Sequence, residues 1–327
     1  MSNARINLSK SVPLEKPLVV YIKPCNICNF RCEFCSYQRI SSLKGFIPNI
    51  LSKSTAEVFV NNIAQSFGRV NNIILTSAEA LLNPNIDYIV KLCKSVADHV
   101  RMITNGSLLN RELSDALVNA GIDTVSISVN GLSSKEYRKR TGHRIDFDLF
   151  VENIRYLSEK MTKFGGVHIK IIDYMIKEPE KEAYFYEIFT PLGKLEVQRL
   201  VNGDSSIDFE TIVGENYDFG LNLFGRKHDK DAITCPMAFY VLNICENGDV
   251  VPCCHGFLSA PILGNALRDS LTVAWRNSLN LQYKMLSRDK NIAHCKDCKY
   301  VMCNAKEDYL DGSIEELKLR YRHRLKI

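Results

Sequence analysis

The chain has 327 residues, which is enough for one large domain and a smaller one. Hydrophobic residues make up 46% of it, as in an ordinary globular protein, and the formal net charge is only +5. No run of about 18 consecutive apolar residues occurs, so we expect no transmembrane helix and no membrane partner. Met1–Lys16 lacks the apolar core of a secretory signal. Twelve cysteines without an export signal therefore predict a cytoplasmic protein whose thiols serve as metal ligands.

Strand-like and helix-like segments alternate from about residue 18 to about residue 205. The strand candidates are short and rich in β-branched residues, namely Leu18–Lys23, Asn72–Ser77, His99–Asn105, Thr124–Asn130, Val167–Ile176 and Lys194–Asn202. The helix candidates are a segment that Ser54 and Thr55 can cap and that runs through Ser66, then Ile86–Asp98, a segment from Asn110 to near Gly121, Phe147–Phe164 and Glu180–Phe189. Repeated strand–helix units predict a parallel sheet with right-handed crossovers. Six units are too few for an eight-fold barrel, so we predict an α/β fold, an open partial (β/α)6 barrel.

Three cysteines, Cys28, Cys32 and Cys35, follow the first predicted strand with the spacing Cys-x3-Cys-x2-Cys. Thiolates this close suit a [4Fe–4S] cluster, which normally takes four cysteines, so a triad leaves one iron open to a small molecule. Structural zinc usually takes Cys-x2-Cys pairs and a fourth ligand, and the Cys-x2-Cys-x2-Cys-x3-Cys-Pro run of bacterial ferredoxins is absent. The spacing therefore favours the cluster over zinc, and Cys25 is interpreted as a spare thiol nearby.

At this point the chain resembles the radical S-adenosylmethionine (radical SAM) superfamily. The superfamily motif, Cys-x3-Cys-x-aromatic-Cys, is matched by Cys28-Asn29-Phe30-Arg31-Cys32-Glu33-Phe34-Cys35. The resemblance implies that the open iron chelates the amino and carboxylate groups of S-adenosylmethionine (SAM). It implies that one electron from the cluster cleaves SAM to methionine and a 5′-deoxyadenosyl radical, which takes a hydrogen atom from the substrate. It also implies a six-unit partial barrel and a reducing partner such as flavodoxin or ferredoxin.

The ends of the other strands supply candidate contacts to the cofactor, because sites in parallel α/β folds form at the carboxyl ends of the strands. In the family the second strand usually ends Gly-Gly-Glu-Pro, and its exposed backbone binds the SAM amino group. This chain has Ser77-Ala78-Glu79-Ala80, so Ser77 and Glu79 are the candidates, and the missing glycines add side chains beside the ligand. Asn105 ends the third strand, and Ser128 matches the serine that ends the fourth strand in many members.

Four further side chains are candidates for contacts to the cofactor or the substrate. Arg140 matches a basic residue of the family that can pair with the SAM carboxylate, and a surface charge on a helix is the other interpretation. Phe34 would pack against the adenine, although a core aromatic would need no ligand. Tyr174 on the fifth predicted strand and Arg199 on the sixth are candidates for the barrel interior, or else hydrogen-bonded core residues.

A second group of cysteines begins after about residue 216, where the strand–helix alternation stops. Cys235, Gly248 and Cys253 are followed by the pair Cys295 and Cys298. Together with Leu263-Gly264-Asn265, Ala274-Trp275 and the residues that follow Gly248, this stretch resembles the C-terminal extension called SPASM, or its shorter version called twitch. Gly248 fits the turn of a hairpin between the predicted strands Tyr240–Cys245 and Asp249–Pro252.

A full SPASM extension carries seven cysteines and two auxiliary clusters, whereas Cys303 is the last cysteine of this chain. The resemblance therefore implies the twitch version, with one auxiliary [4Fe–4S] cluster on Cys235, Cys253, Cys295 and Cys298. Cys254 and Cys303 are alternative ligands, and a four-thiolate zinc site is the rival interpretation. Cys93 and Cys245 are predicted to be packing residues.

Four segments are predicted along the chain: an N-terminal extension 1–17, the radical SAM partial barrel 18–215, a SPASM/twitch-like domain 216–310 and a basic tail 311–327. Most basic tails of this kind are solvated helix ends, so we expect no nucleic-acid partner, although a patch for an acidic partner is the other interpretation.

The two-cluster layout suggests a radical SAM oxidoreductase that dehydrogenates a small polar substrate, such as a cyclitol or sugar, with the auxiliary cluster as electron acceptor. An aminocyclitol dehydrogenase of antibiotic biosynthesis has this layout with a single auxiliary cluster. Peptide modification, such as cross-linking or epimerisation, is one alternative, although only 17 residues precede the first predicted strand, which favours a small substrate. An iron–sulfur electron carrier is the other alternative, which the open iron disfavours. The sequence does not identify the catalytic base.

Overall fold

The computed structural model describes residues 6–76, 78–161, 165–201, 206–221, 225, 234–253, 260–289, 292 and 306–327. The strands in this part of the chain are β1 Val19–Ile22, β2 Val70–Leu75, β3 Ala97–Thr104, β4 Thr124–Val129, β5 Gly166–Ile172, β6 Lys194–Gln198, β7 Val241–Ile244, β8 Asp249–Val251 and β9 Gly264–Asn265. They form one sheet in the order β6-β5-β4-β3-β2-β1-β7-β8-β9. Every pair from β6 to β7 is parallel, whereas β8 and β9 are added antiparallel. The predicted α/β fold with an open, mostly parallel sheet is confirmed.

Helices connect the parallel strands and cover one face of the sheet. They are α1 Leu8–Ser11, α2 Tyr37–Ser41, α3 Lys53–Phe67, α4 Ile86–Val96, α5 Arg111–Asn119, α6 Ser134–Thr141, α7 Phe147–Lys160, α8 Pro179–Phe189, α9 Phe209–Val213, α10 Leu271–Leu286 and α11 Ile314–Leu325. None of the helices in the described residues is long and apolar enough to cross a membrane.

The six predicted barrel strands are found where the sequence placed them, with corrections at their ends. β5 ends at Ile172, because the chain turns into a 3-10 helix at Asp173–Ile176. The N-cap of α3 is Ser52, whose side-chain oxygen accepts a hydrogen bond from the amide of Thr55 at 3.1 Å. The prediction of Ser54 and Thr55 as caps was therefore wrong, and α3 begins earlier than expected.

The two faces of the sheet differ in polarity. On β5, Val167, Ile169 and Ile171 are buried against the core, whereas His168 and Lys170 between them are half-buried on the opposite face. Parallel strands covered on both faces read as continuous apolar runs, so this alternation indicates that helices cover one face only. The other face lines the interior of the partial barrel and is called the interior face below; it includes Arg101, Ser126, Ser128, Lys170 and Glu196.

The predicted C-terminal hairpin is confirmed, and it extends the barrel sheet. β7 lies parallel to β1 with Val19 opposite Val241 and Ile22 opposite Ile244, a pairing that the sequence did not predict. Gly248 forms the turn at a φ of +88°, and a Cβ there would lie 2.8 Å from the side chain of Asn265. Residues of the predicted C-terminal domain thus continue the sheet of the partial barrel.

The basic tail is a packed helix and only partly a solvated one. α11 lies against α10 and buries Leu317 and Tyr321, whose hydroxyl donates to Gln282. The guanidinium of Arg320 donates to backbone carbonyls of the N-terminal segment, including that of Ser9 at 3.0 Å. These contacts connect the two ends of the described chain.

Candidate cofactor site

The triad loop, residues 27–35, follows β1 at the carboxyl end of the sheet and carries the predicted cluster ligands Cys28, Cys32 and Cys35. Backbone hydrogen bonds join it to the C-terminal end of α6. The amide of Arg31 donates to the carbonyl of Thr141 at 2.8 Å, and the amide of Glu33 donates to that of Arg140 at 2.9 Å. A helix that the sequence did not predict therefore supports the loop.

Two sulfur atoms of the triad accept hydrogen bonds from the backbone. The amide of Phe30 donates to Cys28 Sγ at 3.3 Å, and that of Tyr37 donates to Cys35 Sγ at 3.5 Å. Burial raises the pKa of Cys28 to about 12, and burial followed by the charges of Cys35 and Cys28 raises the pKa of Cys32. The three sulfurs are therefore near enough to interact electrostatically.

This donor set fits an iron–sulfur cluster. Three thiols lie in one loop, and amide N–H groups already point at two of the sulfurs, an arrangement that stabilises cluster thiolates and tunes their potential. In the described residues no three His, Cys, Asp or Glu side chains converge on a single metal ion. Cys25 is fully buried, and its thiol lies 3.0 Å from the carbonyl of Glu79, in keeping with its interpretation as a spare thiol.

A cavity of about 870 Å³ adjoins the triad loop. Its walls are the triad, the segment 43–49 and the β7–β8 hairpin, and they include Phe34, Ala78 and Cys245. Phe34 is half-buried, lines this cavity and also touches the core. Cys245 faces this cavity from the end of β7, whereas the sequence had suggested a packing role in the hairpin. Cys93 is fully buried in α4, as predicted.

The carboxylate of Glu79 joins the ends of β2 and β3. It accepts hydrogen bonds from the amide of Asn105 at 2.7 Å, from the amide of Leu81 at 3.0 Å and from the hydroxyl of Thr104. Glu79 is 1% exposed, and burial raises its pKa while these donors act in the opposite direction. Its side chain is therefore used within the fold, and the neighbouring Ala78 is the residue that lines the cavity.

Asn105 is also engaged with the triad loop. Its side-chain amide donates to Asn29 Oδ1 at 2.9 Å, and Asn29 in turn donates to the hydroxyl of Ser107 at 2.9 Å. Asn105 is 8% exposed, and its side chain holds the part of the loop between Cys28 and Cys32 in position. Ser77, the remaining candidate of this group, lies outside the described residues.

Arg140 is not an exposed surface charge. Its side chain is 14% exposed, its guanidinium lies 5.0 Å from the centre of the Tyr174 ring, and its Nη1 lies 3.7 Å from Glu33 Oε1. The hydroxyl of Tyr174 donates to the same Glu33 oxygen at 2.9 Å. Arg140 Nε is buried with no hydrogen-bond partner in the described residues. The cluster of Glu33, Arg140 and Tyr174 therefore lies beside the triad loop with one donor left unused.

The prediction that Tyr174 and Arg199 lie on strands was wrong. Tyr174 lies in the 3-10 helix after β5, and Arg199 follows the end of β6, so neither is on a strand. Arg199 pairs with Asp173 at 3.2 Å and stacks on the Tyr217 ring at 4.6 Å. Ser128 is on β4 as predicted, and its register neighbour on β5 is Lys170.

Two of the four predicted auxiliary ligands are in the described residues. Cys253 follows β8, and its carbonyl accepts a hydrogen bond from the side chain of Asn243 at 3.2 Å. Cys235 follows Thr234, whose hydroxyl donates to Asp311 at 2.8 Å. Cys295 and Cys298, with the alternatives Cys254 and Cys303, lie outside the described residues.

Three charged side chains of the interior face were not among the residues predicted from the sequence. Arg101 on β3, Lys170 on β5 and Glu196 on β6 are half-buried there. The available signal was the polar residue at every second position of these strands, which a half-covered strand produces.

Comparisons with known proteins agree with this geometry. The family model described as the Radical SAM superfamily matches residues 22–185, and that described as SPASM, an iron-sulfur cluster-binding domain, matches residues 235–299. A curated relative, the probable GTP 3′,8-cyclase of Saccharolobus solfataricus, is 31% identical over 173 residues, which are 52% of this chain and 52% of the relative. The chain thus spans about half the length of the curated relatives it matches.

Two solved structures share the fold at low identity. BtrN in complex with AdoMet and 2-DOIA has a TM-score of 0.55 and 13% identity, over 89% of this chain and 94% of that chain. SuiB of Streptococcus suis, bound to the precursor peptide SuiA, has a TM-score of 0.60 and 18% identity, over 82% of this chain and 66% of that chain. With its triad, its open sheet and both family matches, the chain belongs to the radical SAM superfamily of SAM- and [4Fe–4S]-dependent enzymes and carries a SPASM iron–sulfur domain.

Proposed function

We propose that this protein is a radical SAM oxidoreductase that dehydrogenates a small polar substrate, such as a cyclitol or sugar, with an auxiliary cluster as the electron acceptor. The observation that carries the proposal is the polar interior face, which extends to Cys253. Tyr21 on β1 and Asn243 on β7 are register neighbours, and Asn243 donates to the carbonyl of Cys253. A polar substrate in the interior would therefore lie between the triad loop and a predicted auxiliary ligand.

The ligand roles in this proposal follow the sequence predictions. The SAM-binding cluster is held by Cys28, Cys32 and Cys35, and the auxiliary cluster by Cys235, Cys253, Cys295 and Cys298. When bound, the cluster and SAM supply the 5′-deoxyadenosyl radical that removes a hydrogen atom from the substrate. A flavodoxin or ferredoxin supplies the electron that starts each turnover.

The side chains around the triad loop bind and orient SAM in this proposal. Arg140 has the buried donor and the positive charge that a SAM carboxylate requires, and Glu33 and Tyr174 fix its position. Phe34 presents an aromatic face to the cavity for the adenine. Ser128 contributes a hydroxyl at the end of β4. Glu79 and Asn105 act indirectly, because their hydrogen bonds hold the strand ends and the triad loop.

Peptide modification is the second candidate, and the rim of the cavity supports it. Ile47 and Ile262 line the cavity and are 74% and 64% exposed, an unusual exposure for large apolar side chains at a site mouth. A cavity of about 870 Å³ has room for several side chains of a peptide. The fold is shared with SuiB, which has been solved with its precursor peptide.

The experiment begins with anaerobic reconstitution, followed by measurement of iron, sulfide and 5′-deoxyadenosine release from SAM under a strong reductant. We expect about eight irons per chain and deoxyadenosine formation. Cys28→Ala, Cys32→Ala and Cys35→Ala should each abolish deoxyadenosine formation while the auxiliary iron stays. Cys253→Ala should instead keep deoxyadenosine formation and lose oxidised product. Cys93→Ala, at a buried thiol that is neither in the triad nor a predicted auxiliary ligand, is the control.

The outcomes separate the candidates. SAM cleavage by a variant without all three triad thiols would refute the assignment of the triad. About four irons with bound zinc would remove the electron acceptor and with it the oxidation. Testing cyclitols and sugars in one set of assays and short peptides in another then decides between the two enzymatic candidates. An electron carrier would give no deoxyadenosine at all.

A further inference from the structure

Two cations lie close together on the interior face. Arg101 on β3 donates from Nε to the hydroxyl of Ser126 on β4 at 2.7 Å. Ser128, two residues further along β4, has Lys170 of β5 as its register neighbour. Residues in register, and those two apart on a strand, point to the same face of a sheet. Arg101 therefore contacts Ser126 and Lys170 lies beside Ser128, on the same face of the sheet.

The charge around these cations is only half compensated. Glu196 on β6 is the register neighbour of Lys170, and it also accepts a hydrogen bond from Gln198. In the part of the chain that the structure describes, neither Arg101 nor Lys170 forms an ion pair with a carboxylate. Burial lowers the pKa of His99 and His168, so the nearby imidazoles add little positive charge at neutral pH. Lys194, in register with His168, adds an exposed third cation to this face, so the cations outnumber the carboxylate of Glu196.

Such a pair is costly without a ligand. Both side chains are half-buried, and burial together with the charge of Arg101 lowers the pKa of Lys170 to about 8. Buried charges are normally paired, because moving a charge out of water without a partner is energetically costly. An anion between the two groups would remove their repulsion and would use the guanidinium N–H groups that Ser126 does not occupy.

We propose that Arg101 and Lys170 bind a phosphate group of the substrate on the interior face, beside Ser126 and Ser128. Two cations and two hydroxyl donors match a dianion with several acceptor oxygens better than a neutral sugar. The inference rests on the proposed function, because it names the substrate class of the same site as a phosphorylated small molecule. Since Ser128, near the end of β4, is itself a predicted SAM contact, a phosphate bound beside it would hold the substrate near the cofactor.

The test measures binding of inorganic phosphate and of pyrophosphate to the reconstituted holoenzyme with SAM present, by calorimetric titration. Lys170→Gln and Arg101→Gln should each weaken binding about tenfold or more, as for the loss of one charge-assisted hydrogen bond. Lys170→Arg, which keeps the charge, should retain most of the affinity. Lys91→Gln, at an exposed lysine of α4 away from the interior face, is the matched control and should change nothing.

Iron content and SAM-dependent deoxyadenosine release, measured in every variant, show whether the protein is folded and loaded. Equal phosphate affinity in wild type and Lys170→Gln, with both properties intact, would overturn the inference. A parallel loss of SAM affinity in Lys170→Gln would overturn it too, because the cations would then belong to the cofactor. If phosphate binds as expected but no phosphorylated cyclitol or sugar is oxidised, the oxidation proposal fails while this site stands.

Discussion

Glu79 connects the cofactor site to the barrel through three hydrogen bonds that a single carboxylate accepts. Its partners lie at the end of β3 and in the turn after β2, so this one side chain fixes both strand ends. Asn105, whose amide is one of the donors, also holds Asn29 of the triad loop. A residue that family resemblance assigns to the cofactor thus acts first on the fold that presents the cysteines.

We expect Glu79→Gln to lower the free energy of unfolding by about 2 kcal/mol, because a glutamine amide nitrogen cannot accept a hydrogen bond and would face buried donors. Denaturant unfolding of the iron-free protein measures this. Glu112→Gln, an equivalent change at an exposed position of α5, should leave stability within about 0.5 kcal/mol. Equal stability in the two variants would show that the Glu79 carboxylate does not hold the strand ends.

The triad and its neighbours differ in how far the sequence can predict them. Spacing within eight residues sufficed to propose Cys28, Cys32 and Cys35 as one site, because a short loop keeps its thiols together. Arg140 was predicted only through resemblance, and its partner Glu33 was not predicted at all. Tyr174 reaches Glu33 across 141 positions of sequence, and such long-range contacts are set by the packing of several elements together.

At the scale of elements, α3 shows how a boundary is decided. Ser52, Ser54 and Thr55 are all suitable capping residues, and sequence alone favoured the later ones. In the structure Ser52 has extended backbone geometry and accepts from the Thr55 amide, whereas Ser54 is already inside the helix. The N-cap is therefore the last residue with extended backbone geometry before the helix begins.

Ser52→Ala should lower the free energy of unfolding by about 1 kcal/mol, since it removes the acceptor for an amide at the helix start. Ser54→Ala is the matched variant: it deletes the same hydroxyl two residues later, where no backbone amide depends on it, and should cost less than about 0.5 kcal/mol. Denaturant unfolding curves of both variants give the comparison. A larger loss in Ser54→Ala than in Ser52→Ala would contradict the cap assignment.

The positions of the strands were predictable because β-branched residues mark them. Which strands pair was predictable only for strands that follow one another along the chain. The parallel order from β1 to β6 follows from right-handed crossovers between consecutive units. The pairing of β7 with β1 joins residues about 220 positions apart and does not follow from local pattern. It depends on an open edge at β1, which only the assembled barrel provides.

At the scale of the molecule, the open barrel leaves one face of its sheet for chemistry. Helices bury the apolar face, and the interior face holds the polar and charged side chains that would be costly in a closed core. The C-terminal hairpin extends the same sheet to Cys253, so the triad loop and this predicted auxiliary ligand are attached to one continuous sheet.

The charge of Lys170 gives this framework a measurable pH dependence. Arg101 faces it from β3, Glu196 and the more distant Lys194 from β6, and Ser128 from β4, and His168 lies on the same strand. Its pKa is lowered to about 8 in the folded protein, against about 10.4 in the unfolded chain. Between these values the unfolded state binds one proton more, so Lys170 destabilises the ligand-free fold below pH 8, and this destabilisation is relieved as the pH rises to about 10.

We therefore expect the difference in unfolding free energy, wild type minus Lys170→Gln, to increase by about 2 kcal/mol between pH 8 and pH 10 in anion-free buffer. Taking the difference cancels the titration of other groups, including the thiols. Sulfate, whose charge is constant over this range, should bind wild type less tightly as the pH passes 8 and should bind Lys170→Gln weakly at every pH. A flat difference with pH would mean that the Lys170 ammonium is hydrated or paired in the folded protein, and a pH-independent sulfate affinity would exclude it as the ligand of the anion.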